Sequence, residues 1–523
     1  MSRFQNTLRS IVWSYGSLVA NIVYSLASVP LVLSYLSKAE FGLWVLISQL
    51  ATYLGLLDFG TSMAAPRILI DYKDGSSQEG YGTALTTMLA VFTAEATVLL
   101  AAGYAGAPLL ARLLDIPASF RGDFIVLMRW QAALLAIDFL IRVPACVLVA
   151  HQRLDILNHA QCAYFVLAFS ALWAALRWKW GIYSLLASFA AGAVIKDAVI
   201  VLPVLWLKLA PPPRRWGPPS PSLFHELFTL SRDTFLASGS RQAIEAAPTV
   251  IVSRLLGLEA AATWTVGTRL YALGLVATRR VSEAASPALS EMIYRGESAK
   301  LKAAFRSVSS LTLCLAVAGA VFVAVCNGPF MAVWTHGKIT WPFKNDVLLG
   351  VSLLVFSVIY CYGGLVYVTK KITPMQYLFM AEAILGILLA VLLAPSMRLA
   401  GVLGAFILSG ATVSCGYLFW RVKRYMAISS RELLEWNFSA AKVFLWLIVP
   451  ALLCLALARM LSPASLLAVG GVSVAVVGGF AVLRYGIDPE FRPRLLSMAP
   501  RPFRYLLSVC VFSGQEQWQG FRR

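Results

Sequence analysis

About fourteen apolar stretches, each long enough to cross a ~30 Å hydrocarbon layer, follow one another along this chain and leave little room for anything else. They centre near Tyr24, Ala51, Ala94, Ile137, Ala168, Ala193, Glu245, Leu275, Ala320, Phe356, Leu385, Leu408, Ala451 and Ser473. Of 523 residues 59% are hydrophobic and only 13% charged, with a mean hydropathy of +0.74. No soluble globular chain needs that much apolar surface. The expected fold class is an all-α polytopic membrane protein.

The net charge of +19 would suit nucleic acid if the basic residues were clustered. Instead they lie between the apolar runs. With the N-terminus placed inside, about 27 of the 44 Lys and Arg fall in inner segments, a strong positive-inside bias with both ends cytoplasmic. These include Arg67, Lys73, Arg153, Arg214, Arg215, Arg295, Lys300, Lys370 and Lys371. No nucleic-acid partner is expected, and no cleavable signal peptide is legible. The stretch KLAPPPRRWGPPSPS, Lys208 to Ser222, cannot continue a helix and reads as an extended spacer. The expected organisation is a first lobe of six spans (1–210), a proline-rich linker (211–225) and a second six-span lobe (226–424). A further pair of spans (425–485) and a basic tail (486–523) follow. The tail reads equally as lying on the inner membrane face or as disordered.

The chain also repeats itself faintly. Trp44 falls on Trp264, Pro66 on Pro287 and Gly75 on Gly296, with Pro30 near Pro248 in offset. Each copy has an acid at an outer turn (Glu40, Glu259), a long apolar helix, then a proline and a polar exit. Two similar bundles around a shared centre would follow.

Charge inside a bilayer is costly and marks function or pairing. Asp138 with Arg142, Arg241 with Glu245, and Arg279 with Glu283 stand four apart, so each pair can neutralise itself. The plain reading of all three is internal ion pairing. Arg269 and Arg280 have no acid at that spacing and share a helix face about 16 Å apart along the axis. Guanidinium groups at two depths suit a phosphate-bearing anion. Arg269, Arg280, Arg241 and Arg142 are therefore the candidate substrate residues. Glu382, Glu95 and Asp58 are candidates for carrying a coupling proton or sodium ion; the plain alternative is a hydrogen bond to a neighbouring helix. The glycines at 401, 404, 410, 470, 471, 478 and 479 read as helix-packing residues.

Enzyme signatures are missing from the sequence. His151, His159, His225 and His336 show no metal-ligand spacing, and there is no P-loop. The eight cysteines are scattered singly, which points to neither a zinc site nor a disulfide framework. No catalytic residue, metal or cofactor is expected beyond an ion gradient.

The segment LSKAEFGLWVLISQLATYLGLLDFG resembles the first-loop and second-span signature of the polysaccharide transporter family, the O-antigen and exopolysaccharide flippases. ASPALSEMIYRGESAKLKAAF is similar to that family's eighth-span end and following inner loop. The resemblance implies two pseudo-symmetric six-helix lobes forming a V around a central cavity, with a C-terminal helix pair. It implies alternating access in the bacterial inner membrane. The substrate it implies is an undecaprenyl-diphosphate-linked oligosaccharide whose headgroup crosses a cationic cavity lined by spans seven and eight. Expected partners are that lipid-linked sugar, membrane lipids and the polysaccharide polymerase or export machinery. The first span lacks the arginines that the lipid II flippase carries there, which argues against a peptidoglycan precursor. The alternatives are a multidrug exporter of the same superfamily and, further off, a membrane glycosyltransferase or polymerase.

Overall fold

The computed structural model describes residues 3–73, 78–369 and 373–488. Gly75 of the repeat, Lys370, Lys371 and the basic tail from residue 489 lie outside the described residues. Helix follows helix: α1 (Arg3–Tyr35), α2 (Lys38–Leu54), α3 (Thr61–Lys73), α4 (Gln78–Leu113), α5 (Ala118–Ala150), α6 (Leu154–Arg177), α7 (Tyr183–Trp206) and α8 (Pro221–Leu256). Then come α9 (Leu258–Gly267), α10 (Arg269–Tyr294), α11 (Ser298–Trp334), α12 (Phe343–Val368), α13 (Thr373–Met397), α14 (Leu399–Ser409), α15 (Gly416–Met426), α16 (Ser430–Leu457) and α17 (Pro463–Tyr485). With α2–α3, α9–α10 and α14–α15 each read as one interrupted span, these make fourteen helical runs.

Among the described residues, twelve runs are long and apolar enough to cross a membrane, and the protein is a multi-pass membrane protein. The two runs outside that set are α8 and α9–α10. They hold Arg241, Glu245, Arg269, Arg279, Arg280 and Glu283, and this charge is what lowers their hydropathy. The eighth span was expected to be one overlong helix. It is instead broken at Gly267–Thr268 and runs on to Tyr294.

Local chemistry explains several boundaries. Ser37 caps α2 in a reciprocal box: its hydroxyl accepts from the Glu40 N–H, and Glu40 Oε2 accepts the Ser37 N–H at 2.7 Å. Glu40, the outer-turn acid of the repeat, is therefore a capping residue. α2 ends in a 3₁₀ turn over Gly55–Asp58, followed by two residues with positive φ, Phe59 and Gly60. The chain re-enters helix at Thr61, so the second span is broken too.

The chain divides into two compact units, residues 1–262 and 263–523. In the first, Ile68, Leu69, Leu85, Met88, Phe92, Val147 and Leu148 form a buried core. The proline-rich stretch is no free spacer. Leu209, Ala210 and Trp216 pack on that core, the Ser220 N–H donates to Thr87 Oγ1 at 2.9 Å, and Trp216 Nε1 donates to the Pro211 carbonyl. In the second unit, α16 and α17 pack on α11 through Val443, Leu447, Cys454 and Val474 against Cys314, Val317 and Cys326. Gly470 sits where a methyl group would press on Val325, Cys454 and Cys326, as a packing glycine should. Gly404, Gly471 and Gly479 face open space, so packing does not account for them.

Candidate functional site

The break in the second span organises the polar residues of the first unit. The Asp58 side chain reaches over the start of α3: Oδ1 accepts the Ser62 N–H at 3.0 Å, the Ser62 hydroxyl at 2.9 Å and the Thr61 hydroxyl at 2.8 Å. A carboxylate there satisfies the donors exposed by the break and complements the positive helix end. Arg142, from α5, docks on the same oxygen at 2.9 Å and donates to Ser62 Oγ at 3.0 Å. Its guanidinium also lies 3.6 Å from the Phe139 ring centre. Glu95, buried on α4, accepts from Thr61 Oγ1 at 3.1 and 3.2 Å.

Asp138 extends the expected pairing. It lies 3.9 Å from Arg142, as the spacing predicts, and also holds Lys196 of α7 in a tight ion pair. Lys196 also lies 3.7 Å from Asp197. Side chains four apart meet on the helix, and a packed neighbour adds the opposite charge directly across. Asp58, Glu95 and Arg142 are thus brought together, with Thr61, Ser62, Asp138, Lys196 and Asp197 extending the network. It holds four carboxylates and two cations. Thr61 and Ser62 carried no signal beyond following the acid in the sequence.

Arg241, Arg279, Arg280 and Glu382 make contacts of their own. Arg241 donates to Glu245 within α8 at 3.0 Å, as its spacing predicts. Arg279 does the same with Glu283 at 3.1 Å and lies over the Tyr360 ring. Arg280 was expected to lack an acid. It shares Glu283, three residues on, at 3.2 Å, and is 64% exposed. Glu382 is fully buried on α13. Its Oε2 accepts from Ser414 in a π-helical turn, Gly410–Cys415, between α14 and α15, while its Oε1 has no hydrogen-bond partner among the described residues. Single π turns are costly and gather at functional sites.

Arg269 differs from all of these. It opens α10 immediately after the break, half-buried, with no hydrogen-bond or ion-pair partner among the described residues. Thr268 does not cap α10, because its hydroxyl turns back to the Trp264 carbonyl at 2.8 Å. Among the described residues, no three or more His, Cys, Asp or Glu side chains gather as a metal site.

The helical fold is similar to that of solved MOP superfamily transporters. The lipid II flippase MurJ, in an inward closed conformation, superposes with a TM-score of 0.69 at 13% identity, covering 93% of this chain and 100% of that one. An inward-facing multidrug resistance MATE family transporter matches at 0.65 and 15% identity, over 77% and 94%. A MOP superfamily transporter from Pyrococcus furiosus, described as having a binding pocket of reversed polarity, matches at 0.58 and 16%, over 81% and 96%. No curated protein matches the sequence. A family model described as polysaccharide biosynthesis protein matches residues 32–335, more than half of the chain, and the chain belongs to that family.

Proposed function

We propose that the protein is a secondary transporter that flips an undecaprenyl-diphosphate-linked oligosaccharide across the bacterial inner membrane by alternating access, for O-antigen or exopolysaccharide synthesis. Both termini are cytoplasmic in this reading. The observation that carries it is Arg269. A guanidinium without an acid stands at the head of a helix, where the backbone already favours negative charge. Such a placement gains nothing for the fold and suits a planar, multidentate anion such as a diphosphate. Membership of a polysaccharide biosynthesis family supplies the sugar end of the substrate.

Ion coupling falls to the acids. Glu95 belongs to a network with more carboxylates than cations, and Glu382 keeps one buried oxygen unpartnered. In this reading one of them takes up the coupling proton or sodium ion. The test is complementation of a flippase-deficient strain, with surface polysaccharide measured beside the amount of protein in the membrane. Arg269→Ala is expected to lose polysaccharide at a normal protein level, and Arg269→Lys to restore part of it. Normal polysaccharide from Arg269→Ala ends the reading.

A further inference from the structure

Nothing local forces a helix to stop at Gly267. The sequence from Trp264 to Ala272 contains no proline, and one glycine costs a helix only about 1 kcal/mol. The reason for the break must come from neighbours. The carbonyl of Gly267, the last residue of α9, accepts from Asn327 Nδ2 of α11 at 3.0 Å. The same amide donates to Asp346 Oδ1 of α12 at 2.6 Å. Asn327 is 0% exposed and Asp346 2%. Asp346 lies in the first turn of α12, where the helix end supports a negative charge. A Cβ at position 267 would come within 2.3 Å of Trp341 ring carbons, so indole packs directly on the break. Asn327 Oδ1 meanwhile has no hydrogen-bond partner among the described residues, a buried acceptor left without a donor.

We infer that Asn327 and Asp346 are positioning residues: they hold the α9–α10 break open and so fix the place from which Arg269 meets a diphosphate. The inference rests on the reading of Arg269 as a substrate contact. The one Asn327 amide links Asp346 of α12 to the Gly267 carbonyl at the end of α9, and helix ends leave such carbonyls in need of donors. Closing the interruption would turn the start of α10 and move Arg269, two residues on. Polar pairs buried at membrane depth are retained where something is gained by them, and here the gain is a helix end delivered to a set place.

The test uses the purified full-length protein and undecaprenyl diphosphate as probe. Asn327→Leu should weaken probe binding about tenfold to a hundredfold, the range for a displaced contact residue. It should also alter hydrogen exchange in the peptide spanning residues 263–272. In an Arg269→Ala background, Asn327→Leu should add no further loss, because its effect passes through Arg269. Additive losses would mark Asn327 as merely structural and overturn the inference, as would unchanged exchange across the break. Arg269→Ala protein that binds like wild type overturns the Arg269 reading instead, and exchange then still decides whether Asn327 holds the break. Asp346→Asn, which keeps size and removes the charge, and Asn327→Gln, which keeps the amide on a longer arm, carry the same cycle if Asn327→Leu does not accumulate.

Discussion

Of the three interrupted spans among the described residues, α2–α3 and α9–α10 carry opposite charges at their breaks. In α2–α3 the residue at the break is Asp58, an anion at a positive helix end, further neutralised by Arg142. In α9–α10 it is Arg269, a cation at a positive helix end, with no acid. The two segments are those that the sequence pattern pairs through Trp44 and Trp264. At the first break the Asp58 carboxylate meets both the helix end and the Arg142 guanidinium, which is what a structural pair does. At the second the preferences are left unmet, which leaves an external anion to meet them.

The contrast breaks most severely at Arg142. Removing one partner of a half-buried pair leaves the other charge stranded, and Arg142→Ala is expected to cost on the order of 2–4 kcal/mol of stability, somewhat below the fully buried range. Thermal unfolding of the detergent-solubilised protein reads it. The double variant Asp58→Ala, Arg142→Ala should recover part of that loss. Recovery of none would mean that the pair is not the unit holding the first break.

The next largest effect sharpens the comparison by reversing the charge at the second break. Arg269→Glu places an anion where the helix dipole prefers one, so stability should hold or rise by about 0.3–1 kcal/mol. Transport should nevertheless be lost. A variant that is both destabilised and inactive would show that Arg269 serves the fold, and the two breaks would then be alike.

The acids extend the comparison to coupling. Glu95→Gln keeps an oxygen that can accept from Thr61 and removes the titratable charge from the first-unit network. Glu382→Gln does the same beside Ser414. Loss of gradient-driven transport with unchanged substrate binding is expected at the residue that carries the ion. Full transport by both Gln variants, measured in proteoliposomes under an imposed gradient, removes ion coupling from these two sites.

How much of this was legible from the sequence depends on distance along the chain. Span count and helical class could be read because hydropathy is a property of each segment alone. The pairs Arg241–Glu245 and Arg279–Glu283 could be read because one helix turn brings them together. Asp138 with Lys196, 58 residues apart, could not, nor could Asn327 with Gly267. Those contacts depend on which helices are neighbours, and periodicity carries no such information. Arg280 differs for a simpler reason: its acid, Glu283, stands three residues on rather than four. The breaks at Phe59–Gly60 and Thr268 escaped because neither contains proline.

The smallest expected effect concerns Arg280 and tests whether Arg269 is alone in its role. Arg280 is 64% exposed and shares Glu283 with Arg279, 34% exposed, which remains to pair with that acid if Arg280 is removed. An exposed pair contributes little, so Arg280→Ala should cost less than about 0.5 kcal/mol of stability. Transport should fall by less than in Arg269→Ala, since a cation already sharing an acid offers less to a phosphate than one with none. The comparison is made side by side, at equal protein level, on surface polysaccharide. A loss in Arg280→Ala equal to that in Arg269→Ala would mean that Glu283 releases Arg280 when substrate arrives. The eighth span would then act with two cations on one ligand, and the break would mark only the first of them.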